Sequence, residues 1–111
     1  MGSVFDLLEA IQKRPTLYVG WSEDRREDQM RDLEMLLHGY SAALHQHDVN
    51  EPGRNFLSKF SEYLRARYGW SMSCGPVVAI RNASTNADDA WELFWKLVWD
   101  YRDTLVANPR C

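Results

Sequence analysis

The chain is poor in cysteine. Cys74 and Cys111 are the only two, with no C-x-x-C pair. This excludes a disulfide framework and points to a reducing, cytoplasmic setting; the terminal Cys111 is expected to be free. No apolar run approaches the roughly 20 residues needed to span a bilayer, and the N-terminus lacks a secretory hydrophobic region. A membrane partner is therefore not expected. There is no glycine-rich loop to cradle phosphates. Basic residues do not dominate either. Lys plus Arg number 13 against 16 Asp plus Glu, a net charge of −3, which argues against a nucleic-acid partner and suits a cationic protein.

Metal-ligating spacing is missing too. His38 and His45 share a flank of one helix but stand seven residues apart, roughly 10 Å along the axis at 1.5 Å per residue. His45 and His47 point to opposing sides while the helix lasts, and H-x-H-D matches no helical metal motif. They read as a polar helix end. No metal and no cofactor are expected. Carboxylates occur as solvated helix-face charges, with Glu92 and Lys96 an ordinary pair four residues apart.

Aromatic residues are what the chain has in excess, at 13% with five tryptophans among 111 residues. That length is enough for one helical domain over 1–111 with a single core. The densest apolar stretch is Asn86 to Val106, where Trp91, Trp95 and Trp99 recur every four residues. At about 100° per residue, Asp88, Asp89, Glu92, Lys96, Asp100 and Asp103 form one polar stripe. Ala87, Phe94, Val98, Tyr101 and Leu105 mark the opposite, buried face. Trp91 falls on its flank, and Trp95 and Trp99 drift toward the acids. The spacing thus places Trp99 near solvent beside Asp100 and Asp103, the pattern of an interface anchor with a steering rim. The alternative is that Trp70 or the connector from Arg14 to Trp21 covers it.

The earlier segments read as helices around this one. Ser3 caps a first helix ending near Lys13, with Asp6 three residues on and Val4, Leu7, Leu8 and Ile11 at helical spacing. Pro15 stops it. Arg14 to Trp21 reads as an extended connector with a turn at Gly20, followed by a charged loop from Ser22 to Asp28. A second helix from about Asp28 to Gln46 presents Met30, Leu33, Leu37, Tyr40 and Leu44. A third, from about Asn55 to Tyr68, turns Phe56, Phe60, Tyr63 and Leu64 inward and stops at Gly69. Gly75 to Ile80 suits a short helix with Pro76 at its first position better than a strand with nothing to pair with. The expected fold is an all-α, compact single-domain bundle of four main helices and one short one, plus the extended connector.

Cys74 precedes Gly75 and Pro76, near a helix start that would lower a thiol pKa. No base stands beside it, and a buried structural thiol is the expectation. Leu8 to Gly20, LEAIQKRPTLYVG, resembles the LEAxxKRPGMYIG stretch early in the ATPase domain of the DNA gyrase B subunit. In that family the next helix supplies a Glu and an Asn for catalysis and metal binding. Here Asp32 to Tyr40 has no such Asn, and the later nucleotide motifs are absent. The ATPase is excluded, leaving a helix stopped by Pro15 with Leu17, Tyr18 and Val19 folded back as an apolar clasp.

A broader pattern covers more of the chain: an N-terminal helix, RPxxYxG, a helix bearing Gly39-Tyr40, an aromatic helix ending Arg67-Tyr68-Gly69-Trp70, and a last Phe/Trp-rich helix. It resembles small bacterial cytosolic proteins, some of them immunity proteins for polymorphic or contact-dependent toxins. The resemblance implies a non-enzymatic domain that binds a cognate toxin and blocks its active site. No catalytic residues carry over. The partner-binding candidates read from the residues are Trp95, Trp99, Asp100 and Asp103, with Glu23 and Asp24 as further negative charge. The alternatives are a small enzyme using Cys74 with a histidine and a homodimeric helical domain, so the protein is expected as a monomer or a homodimer.

Overall fold

Ser3 and Asp6 set the first element. In the computed structural model, which describes residues 3–20 and 23–107, Ser3 Oγ accepts from the Phe5 amide and Asp6 accepts from the Ser3 amide, a complete capping box. The described residues form six α-helices: α1 Val4–Lys13, α2 Pro15–Val19, α3 Arg26–Gln46, α4 Phe56–Tyr68, α5 Pro76–Asn82 and α6 Ala87–Ala107. Short 3-10 turns at Glu23–Arg25 and Pro52–Asn55 precede α3 and α4. The described residues contain no strand, and the fold is all-α. The chain divides into two units, Met1–Lys59 and Phe60–Cys111.

In the first unit α1 buries Val4, Leu8 and Ile11, each worth roughly 1.5–3 kcal/mol when fully removed from water. The connector after it is not extended. Arg14 ends α1, and Pro15 immediately opens α2, which stops at a left-handed Gly20 (φ 75°). A proline at the first helical position has no amide that needs a partner and arrives with its φ preset, so the residue that ends one helix starts the next. The expected clasp shrinks to Val19, which is buried, while Leu17 and Tyr18 are 68% and 42% exposed. Trp21 and Ser22 lie outside the described residues.

Helix α3 starts at Arg26, two residues earlier than expected, with Glu27 and Asp28 in its first turn, where acids favour the helix dipole. Gln29 is fully buried, and its amide oxygen accepts from Arg26 at 2.5 Å. Met30, Leu33 and Leu37 are buried, with Tyr40 and Leu44 half-buried.

The turn after α3 is tied down by one carboxylate. Glu51 accepts from the amides of Val4 (2.9 Å) and Gly53 (2.7 Å) and bonds the Tyr40 hydroxyl. It thereby joins the start of α1, the 3-10 turn and the side of α3. A side chain at position 53 would collide with the Glu51 carboxylate and the Tyr40 ring, so only glycine fits there. Next to it, the Arg54 carbonyl meets Ser41 Oγ at 2.6 Å and His45 Nε2 at 3.0 Å. The Arg54 guanidinium reaches His45 Nδ1 and Asp48. His45 is therefore a structural partner of Arg54. Phe5 meets Phe56 edge-on at 5.8 Å.

The second unit is built on ring contacts. Phe60 and Leu64 of α4 are buried, and Phe60 meets Phe94 (6.1 Å) and Tyr101 (5.6 Å) of α6. Tyr63 lies 5.3 Å from Tyr101. Burial pushes the hydroxyls of both tyrosines above the ordinary phenol range. Helix α5 opens at Pro76, as expected, buries Val77, Ala79 and Ile80, and packs on α6. Asn86 Oδ1 caps α6 by accepting from the Asp89 amide at 2.9 Å.

Candidate protein-binding surface

Trp95 is 3% exposed and is not available as a surface anchor, a correction to the sequence expectation. Its ring meets Trp91 at 5.5 Å and Phe94 at 4.9 Å edge-on, and stacks with Trp99 at 6.2 Å. Its indole Nε1 is buried with no hydrogen-bond partner among the described residues. The reason lies in the width of the buried face. Counting about 100° per residue, the buried residues of α6 run from Leu97 through Phe94 to Trp95, an arc of about 160°. A helix with one covered side would bury less. Trp99 falls some 40° beyond that arc and is half-buried.

The carboxylates beside Trp99 are already paired. Asp100 accepts from Lys96 Nζ at 3.1 Å and Asp103 from Arg102 at 3.4 Å. The Arg102 guanidinium also sits 4.8 Å from the Trp99 ring centroid, a cation–π contact. The four charges cancel, so this side of α6 is not the acidic rim read from the sequence. Asp24 is exposed and Glu23 opens the first 3-10 turn, both in the first unit, whereas Trp95, Trp99, Asp100 and Asp103 belong to the second.

Cys74 is exposed in the turn before α5, not buried as expected, because Ser73 and Cys74 face solvent and burial begins only at Pro76. Its unit contains no histidine, since His38, His45 and His47 all lie in the first. Cys111 lies outside the described residues. Among the described residues no group of three or more His, Cys, Asp or Glu is placed to hold a metal ion. No helix among them is long and apolar enough to cross a membrane.

A different pair of aromatics stands out at the end of α4. Gly69 adopts φ 72° and its amide closes the helix on the Arg65 carbonyl at 2.9 Å. That left-handed residue turns the chain back so that Trp70 stacks on Tyr68, with ring centroids 4.7 Å apart and planes 17° from parallel. Tyr68 is 38% exposed and Trp70 half-buried. Arg67 lies 5.8 Å from the Tyr68 ring and donates to its hydroxyl at 3.3 Å. Trp70 also forms one wall of an open groove of about 390 Å³, completed by Ser71, Ala79, Asn82 and Ala83. The two rings stack across the single residue Gly69.

The R-Y-G-W run was visible in the sequence, but helical periodicity does not predict a stack across a glycine turn. No family model matches the chain, and neither does any curated protein or solved structure.

Proposed function

We propose that the chain is a non-enzymatic protein-binding domain, most concretely an immunity protein that neutralises a cognate bacterial toxin by covering its active site. The observation that supports this reading is the stacked, solvent-facing Tyr68–Trp70 pair at the edge of a groove. Tyr and Trp carry a large share of binding energy in protein interfaces, and rings fixed in place beforehand lose little entropy on binding. Trp99, half-buried under Arg102, is the secondary contact. The resemblance of the helix order and the RPxxYxG and RYGW runs to bacterial immunity proteins narrows the partner to a toxin domain.

The test is growth protection. The chain is co-expressed with the C-terminal domain of the secreted protein encoded beside it, and the pair is run on size-exclusion chromatography. Protection and a stable complex are expected, and Tyr68→Ala with Trp70→Ala should remove both while far-UV circular dichroism is retained. Tyr68→Ala alone, at an exposed position, serves as the variant least able to disturb the fold. A neighbouring gene without a toxin domain, or neither protection nor a complex with the native chain, overturns the proposal; full protection by both variants removes only this surface from it.

A further inference from the structure

From Tyr63 to Ala87 the chain carries Arg65, Arg67 and Arg81 and not one aspartate or glutamate. This stretch holds a charge of +3, against −6 for the remainder, which together make the net −3. It is also the stretch that builds the aromatic stack and the groove. Arg65 and Arg67 are exposed in the last turn of α4, and neither forms an ion pair with a described residue. By contrast, the charges beside Trp99 neutralise one another. Arg65 and Arg67 have no such ion-pair partner among the described residues.

Resting on the protein-binding reading above, we infer that the partner docks an acidic segment here: an apolar side chain enters the groove between Trp70 and α5, and flanking carboxylates meet Arg65 and Arg67. A groove of about 390 Å³ suits one or two side chains rather than a whole ligand, at the low end of small-molecule sites. Ser71 and Asn82 on its walls offer hydrogen bonds to a peptide backbone. A planar carboxylate is the group that the arginine fork matches best. This reverses the sign of partner suggested by the net charge. It favours a protein over a nucleic acid, because a long phosphate backbone would also meet the field of the remaining −6.

The test uses the whole chain and fluorescein-labelled dodecapeptides with a central Leu or Phe anchor flanked by Glu, Gln or Lys, read by anisotropy. The Glu series should bind about tenfold or more tightly than the Gln series, with affinity falling as salt rises, and the Lys series should not bind. Arg65→Glu with Arg67→Glu, both at exposed sites, should erase that preference and admit the Lys series while circular dichroism stays unchanged. Equal binding of the Glu and Gln series, no binding by any series, or tighter binding of an oligothymidylate dodecamer overturns the inference. Should the Glu series fail while Tyr68→Ala still abolishes toxin protection, only the acidic partner falls. Should the native chain itself give no protection and form no complex, the protein-binding reading falls as well.

Discussion

Glu51 is the most informative place to test how the first unit is held. Its carboxylate accepts from two backbone amides, of Val4 and Gly53, and from the Tyr40 hydroxyl. Hydrogen bonds to a charged group contribute about 1.5–3 kcal/mol each when buried. Glu51 is only half-buried, so water replaces part of each bond and about 1 kcal/mol applies to each. Glu51→Ala is therefore expected to cost about 3 kcal/mol, a large share of the 5–15 kcal/mol by which domains are typically stable. Glu51→Gln keeps one acceptor oxygen but turns an N–H toward an amide donor, and should cost about 2 kcal/mol. With a urea slope of about 1.5 kcal/mol/M, the alanine variant lowers the unfolding midpoint by about 2 M. The assay is urea unfolding followed at 222 nm. Glu9→Ala is the control, because Glu9 is exposed and only 4.0 Å from Lys13, an arrangement worth less than about 0.5 kcal/mol. A double-mutant cycle with Tyr40→Phe should show coupling of about 1 kcal/mol, as expected for partners in one network. If Glu51→Ala loses no more than Glu9→Ala, the carboxylate does not tie these elements together and the reasoning fails.

Two further expectations follow from burial. Trp95→Ala should lose about 3–5 kcal/mol on chemical unfolding, and Trp99→Ala, half-buried under Arg102, only about 1–2 kcal/mol; equal losses would contradict the arc drawn for α6. Burial raises the Glu34 carboxyl above its ordinary 4.5, with His38 opposing in part. Its uncharged form is thus favoured in the fold. Stability from this group is present below pH 4.5 and is lost as pH rises through the higher folded value. Relative to Glu34→Gln, the native chain should therefore weaken from pH 4 to pH 7, by less than about 1 kcal/mol, and the opposite slope refutes it.

Capping and helix-stop chemistry was the most legible part of the fold. Ser3 with Asp6, Gly69 and Pro76 act within a few residues of themselves, so their roles can be read from neighbours in sequence. Pro15 was legible only in half, because the same chemistry that stops α1 permits α2 one residue later. Glu51 could not be found this way. It sits 47 residues from Val4, and a lone glutamate in a turn carries no mark of the amide it will meet.

The aromatic residues divide along the same line. Periodicity ranked Ala87, Phe94, Val98, Tyr101 and Leu105 as core; Phe94, Val98 and Tyr101 are buried, and Ala87 and Leu105 at the two ends are half-buried. It failed on Trp95 because angle alone says where a side chain points and not how wide a cover the neighbours make. Asp100 and Asp103 misled for a related reason: Lys96 stands in the same stripe four residues before Asp100, and Arg102 directly precedes Asp103, so each acid has a neutralising neighbour that a reading for negative charge passes over. The Tyr68–Trp70 stack depends on a single left-handed glycine, a geometry that no period of 3.6 or 2 encodes. The one sequence signal that does point to it is the absence of acids between Tyr63 and Ala87. In a chain that is acidic overall, that gap is a better guide to the proposed binding surface than the tryptophan spacing of α6, because Arg65 and Arg67 have no ion-pair partner there among the described residues, whereas apolar surface is readily absorbed by a core.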